Sequence, residues 1–312
     1  MQSLNLSFQA VTPIFLLMAL GYSLKQLKVC DKNTFDNINK LVFKVFLPTL
    51  LFYNIYSNDT PDVFDAKLVA FSIIGIICVF LVGLISVFFI TKDNKKRGAM
   101  LQGFFRSNFA ILGIPLIKYV CPTSPGAITS LMVAIIVPVF NVLAVIALEI
   151  FRGKSINFKK ILKGIITNPL IIGCLLGLIC FLSDIKFYSV FETTLKDISK
   201  VASPLAIIVL GAGFEFSQIK GYLKENIIVV CTRLIIVPLI LLPIGAYLGF
   251  FGEAFMCLMV IFASPVAVSS YAMAKQMDAD EKLAGQVVVL SSAFCIVTLF
   301  IWIYIFSHFN VI

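Results

Sequence analysis

The sequence predicts an all-α integral membrane protein of ten transmembrane helices, built as two inverted five-helix repeats with broken crossover helices 4 and 9. Three observations carry that prediction: an apolar composition, ten apolar runs of spanning length, and landmarks that recur at half the chain length. Of 312 residues, 60% are hydrophobic and only 13% charged, and the mean hydropathy is +1.03. One soluble domain cannot hide that much apolar side chain. The length is better divided into spans of roughly 20 residues, the number an α-helix needs to cross the hydrocarbon core. The N-terminus, MQSLNLSFQA, has no basic region before its apolar stretch, so no cleavable leader is expected. The eight cysteines are scattered without a C-x-x-C pair and read as small apolar filler, not as metal ligands or a redox pair.

Taken in order, apolar runs separated by polar loops place helices near 8–25, 35–56, 67–91, 98–119, 126–151, 162–182, 191–214, 225–250, 253–275 and 283–307. Basic residues set their direction. Seventeen lysines and arginines fall in the loops after the odd-numbered spans, among them Lys92, Lys95, Lys96 and Arg97, and only five in the others; Lys44, Arg106 and Arg233 lie within spans. By the positive-inside rule the odd-to-even loops are cytoplasmic and both termini lie outside, in the plasma (inner) membrane of the cell. The net charge of +9 thus fixes topology and meets anionic lipid, and gives no reason to expect a nucleic-acid partner.

A shift of 156 residues superimposes Pro13 on Pro169, Gly21 on Gly177, Lys44 on Lys200 and Pro48 on Pro204. The halves 1–156 and 157–312 then hold five spans each. Because five is odd, the two halves enter the membrane in opposite directions. Inverted repeats of this kind characterise secondary transporters, whose sites lie near the midplane between the repeats and are lined by broken helices.

The break in the fourth span is written in FRSNFAILGIP, residues 105–115. Asn108 lies about ten residues in from the cytoplasmic end, roughly 15 Å at 1.5 Å per residue. Gly113 supplies conformational freedom, and Pro115 removes a donor and clashes with the carbonyl of Ile111. In the ninth span, FASPVAVSSYAMAK, Pro265 interrupts at a depth of roughly 18 Å, and Ser264 falls on Asn108 under the shift. Two interrupted helices entering from opposite faces would meet at one level, with positive N-terminal ends and free amides directed at a common point. That arrangement suits an anion.

The strings SNFAILGIPL (107–116), TPIFLLMALGYSLK in the first span, NPLIIGCLLG in the sixth and ASPVAVSSYAMAK in the ninth resemble the auxin efflux carrier family in its bacterial branch, over essentially the whole chain. That resemblance implies a fold related to the bile acid and sodium symporters. Spans 1, 2, 6 and 7 would form a scaffold, often dimeric. Spans 3–5 and 8–10 would form a moving transport domain, displaced like an elevator. Members carry small carboxylates, and the asparagine matching Asn108 hydrogen-bonds the substrate carboxylate. Plant members have a proline where this chain has Ser270, so the ninth-span break falls to Pro265. The long cytoplasmic loop of many plant members is absent, the connection 152–161 being short.

The function expected is alternating-access transport, as efflux, of small organic anions such as carboxylates. Ser107, Asn108, Gly113, Pro115, Ser264, Pro265, Ser269 and Ser270 form the substrate site, and Arg106 attracts or gates the anion, being costly in a bilayer without water or a partner. No metal or cofactor is called for. H+ or Na+ remain the candidate coupling ions, and the lack of an acidic cluster leans toward H+ or none; Glu149 is the one carboxylate considered for a proton-coupling role. A channel is the alternative reading, but neither a ring of charge nor a filter-like glycine run is present. An enzyme is not expected, since a lone terminal His308 and unpaired carboxylates supply no catalytic set. The spacings of Gly173 with Gly177 and Gly245 with Gly249 signal close helix approach, not what is carried.

Overall fold

A computed structural model describes residues 2–57, 65–109, 116–117, 120–121, 126–153 and 158–312. Apart from turns and short extended connections the described chain is helical. In order it forms α1 (Gln2–Gln26), α2 (Lys32–Tyr56), α3 (Ala66–Ile90), α4 (Asn94–Phe105), α5 (Ala127–Phe151), α6 (Phe158–Ile166), α7 (Pro169–Leu182), α8 (Ser189–Gly213), α9 (Gln218–Tyr247), α10 (Gly252–Ala263), α11 (Ser269–Gln276) and α12 (Glu281–His308). Five of these, α2, α3, α5, α9 and α12, are long and apolar enough to cross a membrane, and α7 and α10 are shorter apolar helices. Among the described residues the only β-pairing is an isolated antiparallel bridge between Ser107 and Val266.

Prolines explain the irregularities. In α2 the turn Val42–Phe46 is π-helical just before Pro48, and in α9 the turn Thr232–Ile236 is π-helical just before Pro238. A proline inside a helix clashes with the carbonyl four residues back, and widening that turn relieves the clash without ending the helix. At Pro169 the outcome differs. The expected single span at 162–182 is divided into α6 and α7, because Asn168 is extended, ahead of proline, and caps α7 by accepting from the Leu170 amide at 2.9 Å.

The fourth span also departs from expectation. α4 already ends at Phe105, and Arg106 is extended (φ −81°, ψ 116°), so helical geometry is lost well before Gly113 and Pro115, which lie outside the described residues. In the ninth span the break falls where Pro265 predicts it, with α10 ending at Ala263 and α11 starting at Ser269.

The most extensive pairings join α1 to α8 and α2 to α7, with α2 and α8 also in contact. Glycines set their closeness. A Cβ added at Gly21 would stand 1.9 Å from the carbonyl oxygen of Ile208, one at Gly211 2.1 Å from that of Met18, one at Gly173 2.5 Å from that of Pro48, and one at Gly177 2.8 Å from that of Phe52. These are backbone atoms, which cannot move aside as a side-chain tip can. The predicted small-residue seams at Gly173 and Gly177 are therefore real contacts. By contrast α10 is buried on every side, Phe255 to Ala263 being at most 1% exposed, as a helix apolar all round should be. α3 faces outward with exposed Val82, Ile85 and Phe89.

Candidate functional site

The extended residues after α4 and after α10 run antiparallel at the centre of the molecule. The Asn108 amide donates to the Pro265 carbonyl at 2.9 Å. The Ser107 hydroxyl is bonded to the Val260 carbonyl (3.1 Å) and to the hydroxyl of Ser264 (2.9 Å). The Val266 amide donates to Ser291 Oγ of α12 at 3.1 Å. Backbone groups freed by two helix breaks thus find protein partners, as they must where no water is available.

Two arginines flank this junction. Arg233, on the π-turn of α9, is fully buried and donates to three backbone carbonyls: Ile261 (2.6 Å), Ser264 (2.9 Å) and Phe105 (3.2 Å). Phe105 closes α4, and Ile261 and Ser264 belong to the end of α10. The sequence suggested helix N-termini meeting at the crossover. That holds for α11, which begins there at Ser269, but α4 and α10 present C-termini, whose partial charge is negative. One guanidinium between them satisfies both. Sequence reading noted Arg233 as an intramembrane charge and gave it no role. The signal was the charge itself, since an arginine in such a span needs acceptors.

Arg106 lies on the other side, 3% exposed. Its Nη1 donates to Gln102 Oε1 at 2.9 Å and meets Met273 Sδ at 2.6 Å; its Nη2 donates to Asn141 Oδ1 at 2.7 Å and Ser269 Oγ at 2.9 Å. All of these partners are neutral. No carboxylate among the described residues lies within ion-pair distance of Arg106.

Arg106 lines a cavity of about 60 Å³ together with Ser107, Asn108, Asn141 and Ser269. The opposite wall is formed by α2, α7 and α8 through Leu47, Leu50, Leu51, Asn54, Leu170, Ser203 and Ala206. One water-sized centre occupies roughly 10–15 Å³ on such a measure, so the space suits a compact polar molecule. Asn108 lines the cavity, and its side-chain nitrogen is buried without a partner. Most ligand sites combine apolar walls with a few convergent polar groups in this way.

The expected site residues are therefore separated by the structure. Arg106, Ser107, Asn108 and Ser269 line the cavity, whereas Ser264 and Pro265 lie behind that wall, bonded to Ser107 and to the Asn108 amide. Ser270 is 2% exposed with an unpartnered hydroxyl, off the cavity wall. Asn54, Asn141 and Ser203 were missed. Asn141 and Ser203 sit in apolar helices within three residues of Pro138 and Pro204, and Asn54 six residues after Pro48, and only the fold brings them to one place. Glu149 is bonded to Arg152 at 2.8 Å and takes no part in the cavity.

Two larger cavities have other characters. One of about 340 Å³ between α3 and α9 is lined by apolar residues such as Val82, Ile236 and Ile240, which face outward, and lipid chains would suit it. One of about 290 Å³ is lined by Lys25, Lys32, Asp36, Glu215, Lys275, Glu281 and Lys282. There Lys275 bridges Asp36 of α2 at 2.5 Å and Glu281 of α12 at 3.5 Å.

Comparison with known proteins points to transporters. An "uncharacterized transporter" of Methanothermobacter thermautotrophicus is 26% identical over 307 residues, 95% of this chain and 97% of its own length. The "uncharacterized transporter YfdV" of Escherichia coli K12 is 24% identical over 307 residues, 94% of this chain and 95% of its own. The family described as membrane transport protein matches residues 6–160 and 154–303. With nearly the whole length matched, the chain belongs to the membrane transport protein family, that of the auxin efflux carriers.

Proposed function

We propose that the protein is a secondary transporter of small organic anions, carboxylates in particular, which binds its substrate in the cavity beside the crossover and works by alternating access. The observation that carries this reading is Arg106: a buried, permanently charged guanidinium held only by neutral acceptors, at the wall of a small cavity that Asn108, its side-chain nitrogen unpartnered, also lines. Arginine does not deprotonate in proteins, and an ion buried with neutral partners alone is far from its best environment. A carboxylate supplies the opposite charge, and accepts from Arg106 by displacing one of the neutral acceptors that now occupy its two Nη groups.

The helix contacts support the inverted repeat. Gly21 meets Ile208, and Gly177 meets Phe52; each contact becomes the other on moving 156 residues and exchanging halves. In this reading residues 1–156 and 157–312 are the two repeats in a ten-span arrangement, with both termini outside the plasma membrane. α1, α2, α7 and α8 act as scaffold, and the crossover elements move against them by an elevator-like displacement in the efflux direction. The cavity between the two groups is where such a boundary would fall. A homodimer through the scaffold belongs to the same reading, and coupling to H+ or none is favoured over Na+ because the apolar spans of the sequence hold no evident acidic cluster.

The test is thermal unfolding of the purified protein with acetate, lactate, malonate, malate, citrate and indole-3-acetate, with and without sodium and at two pH values. A ligand that binds only the folded state stabilises by roughly 2.7 kcal/mol at a hundredfold excess over Kd. A selective rise that is lost in Asn108→Ala and Arg106→Gln is expected. If no carboxylate acts on the wild type, or if both variants respond as the wild type does, the anion reading is wrong.

A further inference from the structure

We propose that the groove between α3 and α9 holds one acyl chain of a phospholipid, whose anionic headgroup lies on Lys92, Arg97 and Lys224 at the groove's open end. The site is separate from the cavity beside Arg106 and does not depend on what that cavity carries.

The groove has a physical origin. α3 meets α9 along Val237–Tyr247, and over the half before that α4 packs against both. Gly83 of α3 lets α4 come close, since a Cβ there would stand 2.9 Å from the Phe104 ring. Phe104, next to the end of α4, lines the groove, so α4 is its floor and α3 and α9 are its walls. The walls are apolar. Val82, Ile236 and Ile240 are about half exposed or more, and the Ser86 hydroxyl is turned back onto the Val82 carbonyl of its own helix at 2.7 Å. On helices long enough to span, exposed apolar surface of this kind meets lipid tails.

Length decides which part of a lipid fits. The lining runs from Cys78 to Ile90 on α3 and from Ile228 to Leu241 on α9, roughly 18 to 20 Å at 1.5 Å per residue. That is a little more than one leaflet's share of the roughly 30 Å of hydrocarbon. Ile90 is the last residue of α3, and Cys78 is its midpoint. The groove therefore opens at one membrane surface and closes near the midplane, as a site for a chain from a single leaflet must.

Charge then selects the headgroup. Lys92 follows α3 by two residues. Lys224 lies one turn before Ile228, on the row that continues through Thr232, Ile236 and Ile240 along the groove. Arg97 stands over the exposed Phe88 ring of α3 at 4.6 Å and donates to the neutral Thr91 carbonyl and Asn94 side chain. Among the described residues no carboxylate lies within ion-pair distance of these three, whereas Lys96 beside them is paired with Glu225 at 2.7 Å. The nearby Asp93 is turned onto the Lys95 amide as the cap of α4. The local sum stays positive: Lys92, Lys95, Lys96, Arg97, Lys220 and Lys224 stand against Asp93, Glu225, Asp278 and Asp280, even though the last two meet Lys95 and are counted in. Basic residues at the mouth of an apolar groove suit a lipid that carries phosphate without an amine. A zwitterionic lipid would bring its own cation to the same place.

The experiment is native mass spectrometry of the full-length protein in detergent, titrated with dioleoyl phosphatidylglycerol or dioleoyl phosphatidylcholine, which share their chains and differ in charge. One phosphatidylglycerol per chain should be retained at a concentration at least tenfold below that needed for phosphatidylcholine, and the gap should narrow as salt rises. The double variant Lys92→Ala, Lys224→Ala should bring phosphatidylglycerol to the level of phosphatidylcholine and leave phosphatidylcholine unchanged. Val82→Trp and Ile240→Trp, at exposed positions where the larger ring fills the groove, should weaken both lipids about tenfold. Unfolding temperature without lipid shows that each variant is folded; if one tryptophan variant is not, the other and the lysine variant decide. Equal retention of the two lipids by the wild type overturns the headgroup assignment. Unchanged retention in both tryptophan variants places the chain elsewhere and overturns the groove. Two further results also overturn the lipid site: displacement of phosphatidylglycerol by an equal concentration of glycerol 3-phosphate, which marks a site for a free anion, and a wild-type dimer that the tryptophan variants dissociate, which means that a second copy covers the groove.

Discussion

The crossover has two sides, and the protein places a buried arginine on each. On the side toward α9, Arg233 meets three backbone carbonyls at the ends of α4 and α10. On the side toward the cavity, Arg106 meets side-chain acceptors from three different helices. Backbone carbonyls at helix ends are fixed by the helices themselves. Side-chain amides and hydroxyls turn on single bonds and can exchange one partner for another. On the proposed reading the same residue type serves as a rivet where its acceptors are fixed and as a receptor where they adjust and a cavity adjoins. The presence of an intramembrane arginine does not distinguish the two roles; the identity of its acceptors does.

The largest effect that separates the two sides is expected at Arg233. Arg233→Met removes the donors to Phe105, Ile261 and Ser264, and each buried carbonyl left unsatisfied costs about 1–3 kcal/mol. A loss of about 3 kcal/mol or more is expected, read as a large fall in unfolding temperature and loss of a monodisperse peak in detergent. If Arg233→Met melts with the wild type, Arg233 does not hold the junction. Arg106→Met should destabilise less, because Gln102, Asn141 and Ser269 can turn to other partners.

The next effect concerns the seams that hold α1 to α8 and α2 to α7. Gly21→Ala places a methyl 1.9 Å from the Ile208 carbonyl oxygen, closer than any real Cβ contact, and overpacking of this kind costs about 1–3 kcal/mol. Gly177→Ala meets the Phe52 carbonyl at 2.8 Å and should cost less. Both should lower the unfolding temperature in that order. Carboxylate affinity, measured on the fraction that stays folded, should remain within about twofold, since neither glycine lines the cavity. A larger drop in affinity than in stability would show that the seam and the cavity are coupled.

How much of this was written in the sequence depends on whether the feature is local. The Pro265 break is local, and the ninth span broken between Ala263 and Ser269 is where that proline puts it. Membership of the family was legible for a similar reason, since SNFAILGIPL and ASPVAVSSYAMAK are continuous strings. The exit of α4 at Phe105 was not legible. Nothing in FFRSN forbids a helix, and the exit goes with the pairing of Ser107 with Val266 and of the Asn108 amide with Pro265, residues more than 150 positions away. Asn54, Asn141 and Ser203 were invisible for the same reason. Each is one polar residue in an apolar helix, with interhelical bonding as its ordinary use, and becomes part of a wall only when three helices are brought around one cavity. Gly113 and Pro115 fall outside the described residues, so the structure adds nothing to their roles.

A smaller effect tests whether charge alone defines the cavity side. Arg106→Lys keeps the cation, but a single ammonium cannot span Gln102, Asn141 and Ser269 or present a planar fork to a carboxylate. Affinity for the stabilising carboxylate should fall at least tenfold, about 1.4 kcal/mol, with little change in unfolding temperature. Arg233→Lys should do the reverse, lowering stability and leaving the affinity of the folded fraction near that of the wild type. Should both lysine variants behave alike, the contrast between rivet and receptor is lost.

The smallest expected effect is at the end of the molecule that holds Lys275 and Lys95, where two ion pairs of similar length differ in what they connect. Lys275 of α11 bridges Asp36 of α2 at 2.5 Å, whereas Lys95 of α4 bridges Asp278, beyond the end of α11, at 2.6 Å. On the proposed division the first pair joins the crossover side to the scaffold and the second lies within the crossover side. The Lys275 side chain is 15% exposed, while Lys95 and Asp278 are both more than half exposed. Exposed pairs contribute about 0.2–1 kcal/mol and are screened by salt, so neither Asp36→Asn nor Asp278→Asn should change the unfolding temperature much. Their effects on transport should nevertheless differ. A bond that exists in one arrangement of the two units and not in the other shifts the equilibrium between them by its whole contribution, whereas a bond inside one unit is present in both arrangements and shifts nothing. Asp36→Asn should therefore change the transport rate about two- to fivefold at low salt, the factor that ~0.5–1 kcal/mol gives, and the change should shrink at high salt. Asp278→Asn should leave the rate unchanged at either. Equal rates in the two variants would mean that the Lys275–Asp36 contact persists through the cycle, and the boundary between the moving and static parts would then have to be drawn on the far side of α2.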